Sequence, residues 1–247
     1  MHSQTNSCQN NKVISLKNIT KSFDDNIILK DISIDVNRGE FVSILGPSGC
    51  GKSTVFNIIT GLTNMDSGNI SVFGDIGYMQ QKDLLLPWKT IMENVVLPLD
   101  IKGLNKKSSR SKAAKYIELM GLSGYENKYP YELSGGMKQR ASFLRTFLSS
   151  EEIMLLDEPF GALDSITREN LQKWILDMKK AVERTILFIT HDIEEAVFLS
   201  DSIYVLGSKP GVVKKRIDLD FYKKDKEKRL FSSELLDYKK EIIKLIK

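Results

Sequence analysis

Gly46-Pro47-Ser48-Gly49-Cys50-Gly51-Lys52-Ser53-Thr54 decides how this chain is read. Residues 41–45 before it are an apolar run of strand length. Residues 52–60 read as a helix that Gly61 stops. A G-x-x-x-x-G-K-[ST] stretch between a strand and a helix has a physical meaning. Its glycines let backbone N–H groups turn inward around phosphate oxygens, and the positive end of the helix dipole adds to them. Lys52 then reaches the β- and γ-phosphates of a nucleotide, and the Ser53 hydroxyl suits Mg²⁺.

The natural second half of such a site is Ile153-Met154-Leu155-Leu156-Asp157-Glu158-Pro159. Four apolar residues predict a buried strand, and two carboxylates leave its carboxyl end, where open α/β sheets hold their ligands. Asp157 suits the Mg²⁺ shell. Glu158 is placed to orient or deprotonate a water that attacks the γ-phosphate.

Around these two stretches short apolar runs alternate with longer segments of helical period. Residues 13–16, 32–36, 70–73, 76–79, 185–189 and 203–206 read as further strands, with Asn37-Arg38-Gly39 turning the chain into residues 41–45. Residues 137–148, 166–182 and 193–199 read as helices. Between about residues 90 and 121 the pattern is helical, with 106–112 as a basic, serine-containing loop. The order predicts an α/β fold: a parallel core with a helical insertion at about 90–136. In the tail from Lys209 onward, Leu235, Leu236, Tyr238, Ile242, Leu245 and Ile246 fall near helical spacing, which predicts a basic helix with one apolar stripe on the core.

Composition agrees with a globular chain: 41% of the 247 residues are hydrophobic and 28% charged, with a mild net charge of +4. No apolar run is long enough to span a bilayer, and the polar leader, residues 1–12, lacks the apolar core of a secretion signal. Cys8 in that leader and Cys50 in the glycine-rich turn make no disulfide framework. A cytoplasmic setting is expected.

A phosphate cradle does not by itself name a function. The discriminating stretch is Leu133-Ser134-Gly135-Gly136-Met137-Lys138-Gln139-Arg140, which resembles the LSGGQ signature of ABC ATPases, with Met137 where that pattern has Gln. Ser134 suits a helix cap, and Gly135 and Gly136 let a phosphate approach. The rest of the family's motifs follow in order. Phe23 matches the aromatic that stacks on adenine. Gln81 resembles the glutamine that contacts Mg²⁺ and senses the membrane partner; Gln80 is adjacent, and the spacing to Pro87 favours Gln81. Gly161-Ala162-Leu163-Asp164 resembles the loop linking the two sites of a dimer, and His191 the histidine that holds the γ-phosphate and the attacking water.

The resemblance implies a P-loop NTPase core with a parallel sheet, an N-terminal antiparallel β subdomain and an inserted α-helical subdomain, all in one domain over residues 1–247. It implies ATP and Mg²⁺ as ligands and Glu158, His191 and Lys52 as catalytic groups. It also implies a second ATP-binding subunit, expected to be another copy of this chain, whose signature closes over the ATP held by Gly46 to Thr54. Membrane permease subunits and, indirectly, a substrate-binding protein complete the expected partners; nucleic acid is not among them. No heptad run lies between residues 54 and 133, as a DNA-repair member would need, and a translation factor would carry two cassettes. Leu84-Leu85-Leu86-Pro87-Trp88, Glu93-Asn94-Val95-Val96-Leu97-Pro98-Leu99 and Gly207-Ser208-Lys209-Pro210-Gly211 look like the nitrate, sulfonate, taurine or thiamine-precursor importers. A non-importer system of the same family is the alternative.

Overall fold

The computed structural model describes residues 11–181, 184–219, 228 and 232–246. The polar leader with Cys8, and most of the lysine-rich stretch at 220–231, lie outside the described residues. In chain order the elements are β1 (Lys12–Phe23), β2 (Asn26–Asn37), β3 (Phe41–Leu45), α1 (Lys52–Ile59), β4 (Ser67–Val72), β5 (Ile76–Met79), α2 (Ile91–Ile101) and α3 (Lys106–Leu119). They continue with α4 (Gly135–Ser149), β6 (Ile153–Asp157), α5 (Ser165–Ala181), β7 (Thr185–Thr190), α6 (Ile193–Leu199), β8 (Ser202–Leu206), β9 (Val213–Asp218) and α7 (Ser233–Ile246). They fall into two compact units, Met1–Gly74 with Glu183–Lys247, and Asp75–Val182.

In the first unit β1 pairs antiparallel with both β2 and β4. Ile14, Leu16 and Ile19 face Val36, Ile34 and Ile32 across the β1–β2 ladder, and all six are buried. These strands are longer than expected because bulges interrupt the alternation: Asn18 and Asp31 sit at φ 51°, in the left-handed region. The hairpin tip sets Phe23 opposite Asn26.

The same unit holds β3 between β7 and β8, parallel to both, with β9 antiparallel at the edge beyond β8. Every residue of β3, β7 and β8 is buried, which fits strands covered on both faces. Leu45 pairs with Thr190, so the chain leaves β3 at Gly46 and β7 at His191 side by side and in the same direction. Helix α7 packs its predicted stripe on this sheet: Leu235 and Ile242 join the core of Leu45, Val205 and Ile217, with Tyr238, Leu245 and Ile246 against it, while Leu236 faces solvent. Strand β9 was not anticipated.

In the second unit β5 and β6 are parallel. Trp174 of α5 takes the edges of Tyr116, Phe143 and Phe147 from α3 and α4, a dense aromatic core. Residues 106–112 are not a loop. They are the first half of α3, because Asn105 caps the helix by accepting the Lys107 N–H at 2.9 Å. Only Ser109, Ala113 and Ile117 are buried, one narrow stripe at a spacing of four. The charged run on the other faces hides it.

Candidate nucleotide site

In the first unit β3 delivers the glycine-rich loop and α1 receives it. Gly51 is the N-cap of α1 at φ 99°, where a Cβ would stand 2.5 Å from Leu29 Cδ2, so both backbone and space require glycine. It offers no side-chain cap, and the first turn of α1 holds no acid. The helix start thus presents amides and dipole to an anion with no built-in competitor. Lys52 is buried and curls back over the loop, its Nζ donating to the carbonyls of Gly46 at 2.8 Å and Pro47 at 2.9 Å. Those bonds hold the ammonium at the mouth of the cradle. Ser53 and Thr54 begin the helix beside it, and Ser48 and Gly49 form the exposed tip. The Cys50 side chain is buried, and burial pushes its thiol up, so only its backbone is open to a ligand.

Two neighbours of this loop lie elsewhere in the chain. A Cβ on Gly49 would be 3.9 Å from the Lys209 ammonium, a second cation beside the cradle that sequence reading did not single out. The end of β7 is the other neighbour, since Thr190 pairs with Leu45; the Thr190 hydroxyl donates to Glu195 at 2.6 Å and accepts the Asp192 N–H at 3.0 Å. Asp192 in turn caps α6 through Glu194 N–H and Glu195 N–H. This fixed turn carries His191, exposed at the end of β7. Phe23 is 48% exposed at its hairpin tip rather than in the core, with the Lys21 ammonium 5.2 Å above its ring. Lys21 is held by Asp66 at 2.7 Å; that bond and the Ser22 N–H keep the Asp66 carboxyl below its usual range.

In the second unit Asp157 ends β6, buried, and Glu158 follows at φ 48°. A non-glycine residue in that region is strained, and such strain collects at functional sites. The Gln81 amide donates to Glu158 Oε2 at 3.2 Å, so it is Gln81 rather than Gln80 that the structure brings to the carboxylate. Burial first, and then the Asp157 charge, hold the Tyr78 phenol above its ordinary range. Gln139, not singled out from sequence, donates from Nε2 to the Glu158 carbonyl at 3.0 Å and accepts the Ala162 N–H at 2.9 Å. Asp164 accepts the Thr167 N–H at 3.0 Å, which caps α5 and is the main cause that lowers its carboxyl.

The signature stretch opens α4. Ser134 caps it by accepting the Met137 N–H at 3.3 Å, and the helix starts at Gly135, two residues earlier than expected. Its two glycines differ. A Cβ on Gly135 would meet nothing within 4 Å, whereas one on Gly136 would be 3.3 Å from Leu163 Cδ2 and 3.4 Å from Ala162 O. Gly135 leaves room for an incoming group; Gly136 lets the helix pack against residues 162–163.

Trp88 and Leu84 are 71% and 50% exposed, and of the apolar run only Leu85 is fully buried. Trp88 and Leu84 thus lie on the surface and not in the helical core. Arg145 donates to the carbonyls of Asp83 and Leu84, both at 2.8 Å. Buried Asn94 donates to the carbonyls of Leu86, Lys89 and Thr90 and accepts the Leu86 N–H. With the backbone satisfied from inside, the loop presents Leu84 and Trp88 outward.

A phosphate-binding loop at a helix start and a paired Asp-Glu at a strand end, in this α/β fold, define an ATPase cassette. The chain belongs to the ABC transporter family, whose profile matches residues 29–161. It is 44% identical over 223 residues to the formylaminopyrimidine import ATP-binding protein of Halalkalibacterium halodurans, covering 89% of this chain and 90% of that protein. It is 41% identical over 204 residues to the taurine import ATP-binding protein of Rhizobium johnstonii, covering 79% and 78%. A dimeric ABC cassette in a post-hydrolysis state with ADP and Pi superposes with a TM-score of 0.76 at 30% identity, covering 85% of this chain and all of that one.

Proposed function

We propose that this chain is the ATP-hydrolysing subunit of an ABC importer, acting as a pair of cassettes beneath membrane permease subunits on the cytoplasmic face of the membrane. The observation that carries this reading is Glu158, held in a strained backbone at the end of β6 with the Gln81 amide on its carboxylate. Import is favoured over other systems by the named roles of its relatives. The resemblance to the nitrate, sulfonate, taurine or thiamine-precursor importers, together with the taurine and formylaminopyrimidine names of two relatives, supports a solute of that group, delivered by a substrate-binding protein. No helix among the described residues is long and apolar enough to cross a membrane, which suits a peripheral subunit. The whole chain is one cassette, with the helices at about 90–136 as a subdomain and residues from 209 as an extension.

The roles follow from the side chains. The amides from Gly46 to Thr54 and the Lys52 ammonium bind the phosphates, and Phe23 stacks on adenine. Ser53, Asp157 and Gln81 each carry an oxygen donor of the kind a hard cation takes, and each would serve Mg²⁺ alongside phosphate oxygens. When bound, Mg²⁺ offsets charge on the β- and γ-phosphates. Glu158 takes the proton of the water that adds to the γ-phosphorus, the bond to the β–γ bridging oxygen breaks, and ADP and inorganic phosphate leave. His191 holds the γ-phosphate. Ser134, Gly135 and Gly136 close on the ATP of the partner cassette, and Asp164 lies where the two sites meet.

Two tests arise here. In Gly135→Ala the new methyl meets open space, so melting temperature and ATP affinity should match the parent. Paired hydrolysis should nevertheless fall at least about tenfold, because the methyl occupies the path of the partner's phosphate. Parental hydrolysis would remove Gly135 from the composite site. Trp88 is proposed as an anchor for the permease, since exposed aromatic groups of this size mark interfaces. Trp88→Ala should fold and hydrolyse ATP as the parent does but fail to copurify with the permease. Normal assembly and coupling would reject the anchor.

A further inference from the structure

Gln139 lies one turn inside α4 and is 7% exposed. Both ends of its amide are committed to the main chain of one short segment, by the bonds to the Glu158 carbonyl and the Ala162 N–H. That segment, residues 158–162, is turn and bend without a ladder of its own. It begins with the left-handed Glu158, a conformation that persists only where its surroundings hold it. The same segment abuts the first turn of α4, where Gly136 stands against Ala162 and Leu163. A buried amide satisfied at both ends, in a setting of low polarity, fixes its partners firmly. Gln139 is therefore a strut between the signature turn and the backbone that aims Glu158.

We propose that Gln139 is a positioning residue that couples the two ATP sites of a cassette pair. The proposal rests on the reading above, in which the signature of one chain seats on its partner's ATP while Glu158 serves its own. Seating of the signature turn moves or steadies α4, and Gln139 passes that to the Glu158 carbonyl. Each chain then becomes competent for hydrolysis only when the other site is filled. The coupling is carried within one chain, through one side chain.

The test uses the full chain with two substitutions, reading ATP affinity by calorimetry and the kcat, KM and Hill coefficient of hydrolysis. Gln139→Met keeps the volume and removes both bonds. It should bind ATP within about twofold of the parent, lose about a hundredfold in kcat as expected for a displaced reacting group, and drop its Hill coefficient toward one. Gln139→Glu keeps the acceptor for Ala162 N–H but donates to the Glu158 carbonyl only when protonated. Burial raises such a carboxyl, so its kcat relative to the parent should climb as pH falls from about 8 to about 6. That recovery is a readout that a packing role would not give, and it decides the matter if Gln139→Met does not fold. Parental kcat and cooperativity in a folded Gln139→Met overturn the proposal. So does a loss in both variants that tracks the folded fraction with no recovery at low pH. A parent chain without ATPase activity, or Glu158→Gln with parental turnover, overturns the underlying reading by a separate measurement, and the coupling falls with it.

Discussion

Glu158→Gln lowers steady-state ATP hydrolysis by about a hundredfold or more and leaves ATP affinity within about twofold of the parent. The substitution preserves shape. The amide oxygen still accepts from Gln81 as Oε2 does at 3.2 Å, and the backbone bond from Gln139 to the Glu158 carbonyl is untouched. What disappears is the group proposed to take the proton from water. Because the proposal assigns the substrate's phosphates to other residues, the effect belongs in kcat and not in binding. Phosphate release and calorimetry on the same preparation check it. Turnover within a factor of a few of the parent would return Glu158 to a structural role at the end of β6.

Lys52→Ala has the second large effect, and it falls on binding. Charge-assisted hydrogen bonds contribute about 1.5–3 kcal/mol, so loss of the ammonium should weaken ATP binding by about ten- to a hundredfold. The geometry adds a second consequence. Lys52 satisfies the carbonyls of Gly46 and Pro47, and its removal leaves those acceptors to water or unpaired. A lower melting temperature is therefore expected, corresponding to about 1–3 kcal/mol. Phe23, on its hairpin, should keep some hold on the adenine, so residual binding should persist. Calorimetry that shows parental affinity for ATP would mean that the loop from Gly46 to Thr54 is not the phosphate cradle.

How much of this was legible in the sequence depended on whether the decisive interactions were local. The β3 strand, the glycine-rich loop and the start of α1 were readable to the residue, because an apolar run, a glycine-rich turn and a helix start are each written in consecutive positions. α3 was half lost: the stripe of Ser109, Ala113 and Ile117 is too narrow to stand out from its lysines, and the Asn105 cap was the signal that would have recovered it. β9 escaped for a related reason. Val213–Asp218 is an edge strand with exposed lysines, and it exists because β8 offers it an antiparallel ladder. The links that matter most for chemistry are longer in range. Gln139 meets the Glu158 carbonyl across 19 positions and Gln81 meets its carboxylate across 77, distances over which no periodicity carries information. Trp88 is a further case. Nothing local in residues 84–88 decides between core and surface; Arg145 and Asn94 occupy the inner side of that loop and leave the ring outside.

The central claim is that two copies of this cassette close around ATP, each completing the other's site. The measurement that reaches it most directly is the mass in solution of Glu158→Gln by light scattering, with and without ATP, since removing hydrolysis should trap the closed pair. The account predicts a monomer without nucleotide and a dimer with ATP. It also predicts that adding Gly135→Ala to Glu158→Gln returns the ATP-bound protein to a monomer with its affinity for ATP intact. A chain that stays monomeric with saturating ATP, or dimerises equally well with and without Gly135→Ala, would contradict it.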